Sequence, residues 1–444
     1  MFFDERRDLP MKKATIVKEI LDSFDPRPLS TDQRIREFFV DTTEARGDDA
    51  AGKLRFLLEN VKRDDQKFLF MGHHGCGKST ELYNVAESLK DEYFVIQYSI
   101  REYTDILGVT YIDILFSLLR NIVRAAIDNN IDINTRVVDS IFRYWNAEKV
   151  MTFTDEEEIT FQGETAVGAS LLSILSAKLK LLLQSSSKIK TEVSDKIEPT
   201  VPQLIDEINA FLADFKNKLP EKKLLIIIDD MDKLGIPEAE SIFIDHVRQI
   251  TSLNANIVYT FPIYLFYSPK YRYIINEFDE TLILSMIKVK TRDGNNYELG
   301  IETIKNIIYR RANSNLFEPG AIDFVVEKCG GSIRTAFTII REAALNAELS
   351  YRRAHMSDDS QKMISNDDML FAYRSYKSGL EKVVRTDHLP LLKEVAKNKR
   401  PLLDKENILV MELLVSLIVI EYNGERWCDL NPAIRDYLME QNVI

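Results

Sequence analysis

One run of residues constrains this chain more than any other: Gly72-His73-His74-Gly75-Cys76-Gly77-Lys78-Ser79-Thr80, set between the apolar stretch KFLFM (67 to 71) and the helical pattern STELYNVAESL. It has the form GxxxxGK[ST]. Glycines let successive backbone N–H groups turn inward on phosphate oxygens, so the run predicts an anion nest. A helix opening at Lys78 adds its positive dipole end, the Lys78 ammonium can reach the outer phosphates, and the Ser79 hydroxyl can ligate Mg2+. The whole run, Gly72 to Thr80, is therefore the candidate nucleotide-binding segment.

Further apolar runs alternate with helical patterns: YFVIQYSI (93 to 100), LLIIID (224 to 229), NIVYTFP (256 to 262) and TLILSMIKV (281 to 289). Continuous Val/Ile/Leu/Phe strands separated by helices predict a five-stranded parallel sheet covered on both faces. Helical spacing joins Leu82, Val85, Ala86 and Leu89, and again Leu204, Ile205, Ile208, Phe211 and Leu212, the latter preceded by a capping-box pattern at Thr200 and Gln203. After Thr291 only helices are expected, over 301–312, over 321–329 closed by Gly330, and over 332–349. From Leu389 the pattern reads as two helices, a hairpin turning at Asn423-Gly424, and a last helix after Pro432, which describes a winged-helix unit. The stretch 152–196, with its acidic patch Asp155 to Glu158 and the alternation AKLKL, reads as an insertion of a hairpin plus a helix.

A second site follows the third strand, where LLIIIDDMDKL puts Asp229 and Asp230 at a carboxyl end. Ligands of open parallel sheets bind at such ends, so these carboxylates and the glycine loop should share one crevice. Asp229 is the candidate Mg2+ ligand beside Ser79. Asp230 is the candidate for orienting an attacking water, because phosphoryl hydrolysis needs positioning more than covalent help. Taken alone, an acidic strand end is also a common helix cap.

Composition narrows the class. Across 444 residues, 58 Lys and Arg face 70 Asp and Glu for a net charge of −12, which excludes general surface attraction to nucleic acid or anionic lipid but allows a local basic patch. Three scattered cysteines, Cys76, Cys329 and Cys428, suit neither a disulfide framework nor a CxxC zinc site. Charges between positions 4 and 8 occupy the place where a secretory peptide is apolar. Neither 166–183 nor 408–420 reaches the roughly 20 apolar residues of a membrane span. The expectation is a soluble, cytoplasmic protein without membrane contact.

Together the loop, the acidic strand end and the layout resemble ATPases of the AAA+ and STAND superfamily, in particular an initiator-like branch with a C-terminal winged helix. The resemblance spans roughly 67–344 and the tail. It implies ATP and Mg2+ as cofactors, with a core over 61–290, an approach segment over 1–60, a helical lid over 291–385 and a winged helix over 386–444. It also implies roles for single residues: Lys78 on the outer phosphates, Thr260 as a sensor on the fourth strand, and Arg334 of Gly331-Ser332-Ile333-Arg334 as a second sensor in the lid. Arg272 stands where the family places an arginine acting on a neighbouring subunit, so self-association follows; a solvated helix residue is the alternative. Phe39, Val40 and Arg46 fall in the segment that cradles adenine in such proteins. The departure from better-known relatives is Asp230, where many carry Glu.

Two functions compete. One is a switch ATPase whose nucleotide state controls oligomerisation or engagement of a protein partner. The other is a DNA-handling, initiator-like or transposition-type ATPase gripping duplex through the winged helix. The expected recognition helix, ENILVMELLVS (406 to 416), has no Lys or Arg to offer base edges, and Glu412, Glu421, Glu425 and Asp429 oppose the nearby Lys397, Lys399, Arg400 and Arg426. That favours a packing or partner-docking module. A nucleotide kinase lacks support for want of an arginine-rich closing lid, an ABC-type ATPase for want of an LSGGQ-like run. The adjacent His73 and His74 do not have the spacing of a zinc pair.

Overall fold

The computed structural model describes residues 11–60, 62–104, 106–147, 171–219, 221–354, 362–400, 408–422 and 427–444. Strands β1 (Lys67–Met71), β2 (Tyr93–Ser99), β3 (Lys223–Asp229), β4 (Asn256–Phe261) and β5 (Glu280–Ile283) form one parallel sheet in the order β2-β3-β4-β1-β5. Every residue of β1 and β4 is buried, which is why these runs are apolar without alternation. Side chains still divide by face. Phe68 and Phe70 join Ile227 and Val258 under α1 (Ala50–Asn60) and α2 (Lys78–Ser88), while Leu69 and Met71 join Ile226, Ile228 and Tyr259 on the opposite side.

The second face is covered by helices carried between β2 and β3: α3 (Tyr111–Asp128), α4 (Thr135–Ala147), α5 (Leu171–Gln184), α6 (Ser187–Ile197) and α7 (Val201–Asn217). Nearly all of α3 is buried, as expected of a helix roofed by others. Here the structure corrects two expectations. AKLKL lies inside α5, where Leu175, Leu179, Leu182 and Leu183 point to the core at helical spacing, so the described part of the insertion is two helices and not a hairpin. The acidic patch at 155–158 lies outside the described residues. Thr200 makes no cap either: a helical turn over Glu198–Thr200 runs directly into α7, and the hydroxyl bonds to the Ile197 carbonyl at 3.2 Å instead.

The fifth strand is shorter than its apolar run. It ends at Ile283, beyond which Met286 packs under the sheet and Ile287 and Val289 enter a different core, so one apolar stretch serves two clusters. That second core belongs to α8 (Glu298–Arg311), α9 (Ala321–Lys328), α10 (Ile333–Arg353) and α11 (Asn366–Glu381). Ala14, Val17, Ile20 and Phe24 complete it from the start of the chain, and Ala14 exchanges backbone bonds with Arg311 and Asn313 at 2.8 and 3.0 Å.

The tail comprises α12 (Leu389–Asn398), α13 (Ile408–Val415), the antiparallel pair β6 (Val419–Tyr422) and β7 (Trp427–Leu430), and α14 (Pro432–Glu440). The Asn423-Gly424 turn lies outside the described residues. Helix α13 buries Val410, Leu413 and Leu414 in a cluster with Ile263 and Tyr267, and Glu412 pairs with Arg385 at 2.8 Å. Among the described residues no helix is long and apolar enough to cross a membrane.

Candidate nucleotide site

Sheet order places the chemistry. β4 lies between β1 and β3, with Phe70 level with Thr260 and Ile228 level with Tyr259, so the loop leaving β1 and the acidic turn leaving β3 stand two strand spacings apart, about 10 Å. The long Lys78 side chain spans that gap. Its Nζ donates to the carbonyls of Gly72 and His73 at 3.0 and 3.1 Å and pairs with Asp232 Oδ2 at 2.8 Å.

Two glycines of the loop are required by close approach. A Cβ on Gly72 would sit 2.5 Å from the Leu284 carbonyl, and one on Gly75, whose φ is 79°, would sit 2.7 Å from Arg334 Cβ. Gly77 supplies no side-chain cap to α2, so the first-turn N–H groups of that helix remain directed at whatever occupies the loop mouth.

The acidic turn holds three carboxylates, Asp229, Asp230 and Asp232, each offering an oxygen within 4.8 Å of the others. Burial, then the charges of Asp230 and Asp232, push the Asp229 carboxyl up to about 6, although a hydrogen bond from Ser79 pulls the other way. Burial also opposes the Lys78 charge, yet Asp232 outweighs it and holds the ammonium above its ordinary range. Asp232 itself stays below the usual carboxylate range because Lys78 and Lys233 overcome its burial. An oxygen-only set of this kind, with Ser79 beside it, suits a hard divalent cation such as Mg2+.

Asp230 sits at φ 67°, the left-handed region, and is fixed by Ser99 Oγ at 2.6 Å and by a salt bridge to Lys233. Thr260 is fully buried, accepts the Met231 N–H at 2.9 Å and donates to the Ile228 carbonyl at 3.4 Å, so its hydroxyl shapes the acidic turn. Arg334 opens α10 against the loop: its N–H reaches the Gly75 carbonyl at 3.4 Å, and its buried Nε has no hydrogen-bond partner among the described residues. It lines a cleft shared with Ser79, Asp229, Asp230, Lys233 and Arg34. Arg272 is exposed and lies elsewhere, with its guanidinium on the Tyr273 ring and hydroxyl.

Phe39 and Val40 do line the cavity beside the loop, as does part of Arg46. But Arg46 is buried and directed at the protein itself, donating to Thr42 Oγ1 and the Cys76 carbonyl at 2.7 Å each and to the Ser285 carbonyl. It braces the loop from beneath. Thr80 Oγ1 accepts the Leu29 N–H at 3.3 Å, and Cys76 is a buried free thiol in the core under the sheet. His74 lines the same cavity, whereas His73 is enclosed and bonded to the tail.

Sequence reading passes over Asp232, Lys233 and Ser99. Asp232 is within sight, two residues past Asp230 in the same motif; Ser99 carries no signal, because its partner is set only by the pairing of β2 with β3.

Comparison with known proteins bears on this stretch. The KAP family P-loop domain matches residues 50–260, so that stretch is similar to a P-loop NTPase domain. No curated protein matches the chain. Among solved structures, the chain is similar to the Aeropyrum pernix ORC2 protein in its ADPNP-ADP complexes, at 14% identity over 95% of this chain and 96% of that one, with a TM-score of 0.41. It is similar also to the Aeropyrum pernix ORC1 protein in complex with DNA, at 13% over 94% and 96%, TM-score 0.39, and to a single-residue variant of Thermotoga maritima RuvB, at 11% over 93% and 98%, TM-score 0.36.

Proposed function

We propose that this protein is a Mg2+-dependent ATPase of the AAA+ and STAND kind, a switch whose nucleotide state controls self-association or the engagement of a protein partner. The observation that carries the reading is Lys78 reaching across β4 to the Asp229-Asp230-Asp232 turn. Such a pairing of ammonium and carboxylates at the open end of a parallel sheet is what a triphosphate with its cation would occupy.

In this reading the amides from Gly72 to Thr80 receive the phosphates, and Lys78 exchanges Asp232 for the outer phosphate oxygens. Ser79 and Asp229 would hold Mg2+, which when bound neutralises charge on the phosphate chain. Asp230, clamped by Ser99 and Lys233, orients the attacking water. Thr260 keeps that turn in place, Arg334 senses the phosphates from the lid, and Arg272 serves a neighbouring copy. A duplex-gripping role gains nothing from α13, whose apolar face is packed inward and whose Glu412 is already paired.

The test uses two variants and two readouts. Lys78→Ala should abolish ATP binding, while Asp230→Asn should bind ATP and fail to turn it over. An Asp230→Asn protein hydrolysing at the parent rate would remove the catalytic assignment.

A further inference from the structure

The nucleotide loop is bonded to the far end of the chain. His73 is 1% exposed, and its ring Nε2 accepts the backbone N–H of Glu421 in β6 at 2.8 Å, across 348 positions of sequence. Accepting at Nε2 puts the proton of the neutral ring on Nδ1, which lies near the Leu414 carbonyl of α13 without a closed hydrogen bond. The His73 carbonyl accepts the Cys76 N–H at 3.2 Å and Lys78 Nζ at 3.1 Å.

The strand that holds His73 also holds the lid. Tyr422 donates its hydroxyl to the Gly330 carbonyl at 2.9 Å, and a Cβ on Gly330 would come within 3.0 Å of Ile420. From that turn the chain passes to Arg334, whose N–H rests on Gly75. Hairpin, lid and loop thus close a triangle of contacts.

We propose that His73 is a positioning residue that makes loading of the loop and docking of the hairpin one equilibrium; this rests on the nucleotide reading above. An ammonium has three protons to donate, and those of Lys78 go to Asp232, Gly72 and His73. Phosphate oxygens must displace some of them. With its ring anchored on Glu421, His73 keeps its carbonyl facing Lys78, so hairpin docking favours the loop conformation in which Lys78 is satisfied internally. Linkage then works both ways: nucleotide loosens the hairpin, and loosening the hairpin strengthens nucleotide binding by the same factor.

The experiment uses the full chain, ADP with Mg2+, and the variants His73→Leu, which fills the space without an acceptor, and His73→Gln, which keeps one. Amide hydrogen exchange at Glu421 and ADP affinity are measured for each. ADP should speed exchange at Glu421 in the parent; His73→Leu should exchange faster without nucleotide and bind ADP about fivefold tighter or more, while His73→Gln stays near the parent in both. Parent-like ADP affinity in His73→Leu, or exchange at Glu421 indifferent to ADP, overturns the inference alone. A parent chain that binds no ADP overturns the nucleotide reading with it. Should His73→Leu fail to fold, the parent with and without ADP decides the matter.

Discussion

A buried ammonium is costly unless its partners are fixed, and at Lys78 the only charged one in bonding contact, among the described residues, is Asp232. Replacing Asp232 by Asn leaves the charge with two carbonyls and with Asp229 farther off. The nucleotide-free chain should then lose about 3 kcal/mol, read from urea unfolding. ATP should restore part of that loss, because phosphate supplies the missing negative charge; equal destabilisation with and without ATP would break the link between Asp232 and the nucleotide. His73 makes a second prediction at this scale. Burial, helped by the Lys78 charge, lowers its pKa from 6.5 to about 3, so between those values the unfolded chain binds a proton that the folded chain excludes. Stability contributed here is complete above pH 6.5 and falls as the solution is acidified, by up to about 1.4 kcal/mol per pH unit. Urea midpoints at pH 7 and pH 5 should therefore differ less in His73→Gln than in the parent.

Among the elements, α10 depends on the residue that caps it. Ser332 is buried, and its Oγ accepts the Thr335 N–H at 3.2 Å, so Ser332→Ala should cost about 1 kcal/mol in chemical unfolding and displace Arg334 from Gly75. A variant as stable as the parent would mean that packing alone sets the start of that helix. β1 and α2 were legible to within a residue because an apolar strand, a glycine loop and an amphipathic helix each carry a local signature. The tail of TLILSMIKV was not, since burial in the core of α8 to α11 yields the same apolar letters as burial in a sheet. AKLKL failed for a related reason: five residues satisfy a period of two as easily as one face of a helix. In the site, the glycines, Lys78 and the aspartates announced themselves by chemistry, whereas Arg46 and Ser99 act through partners that only the folded sheet brings near.

For the whole molecule, Arg272 is exposed, so the role proposed for it on a neighbouring copy is open to direct substitution. Arg272→Ala should leave ADP affinity unchanged and lower turnover about a hundredfold or more, and only at concentrations where mass measurement shows ATP-dependent association. Parent-like turnover would retire that role. The backbone bonds that Ala14 makes with Arg311 and Asn313 set the order in which the molecule can be completed. At roughly 5 to 20 residues per second, a ribosome leaves the apolar side chains of Val17, Ile20 and Phe24 without their final cover for about 15 to 70 seconds, until α10, which carries the Phe337 ring packed on Phe24, has emerged. During that interval these side chains are open to proteases and to the chaperones that meet nascent chains.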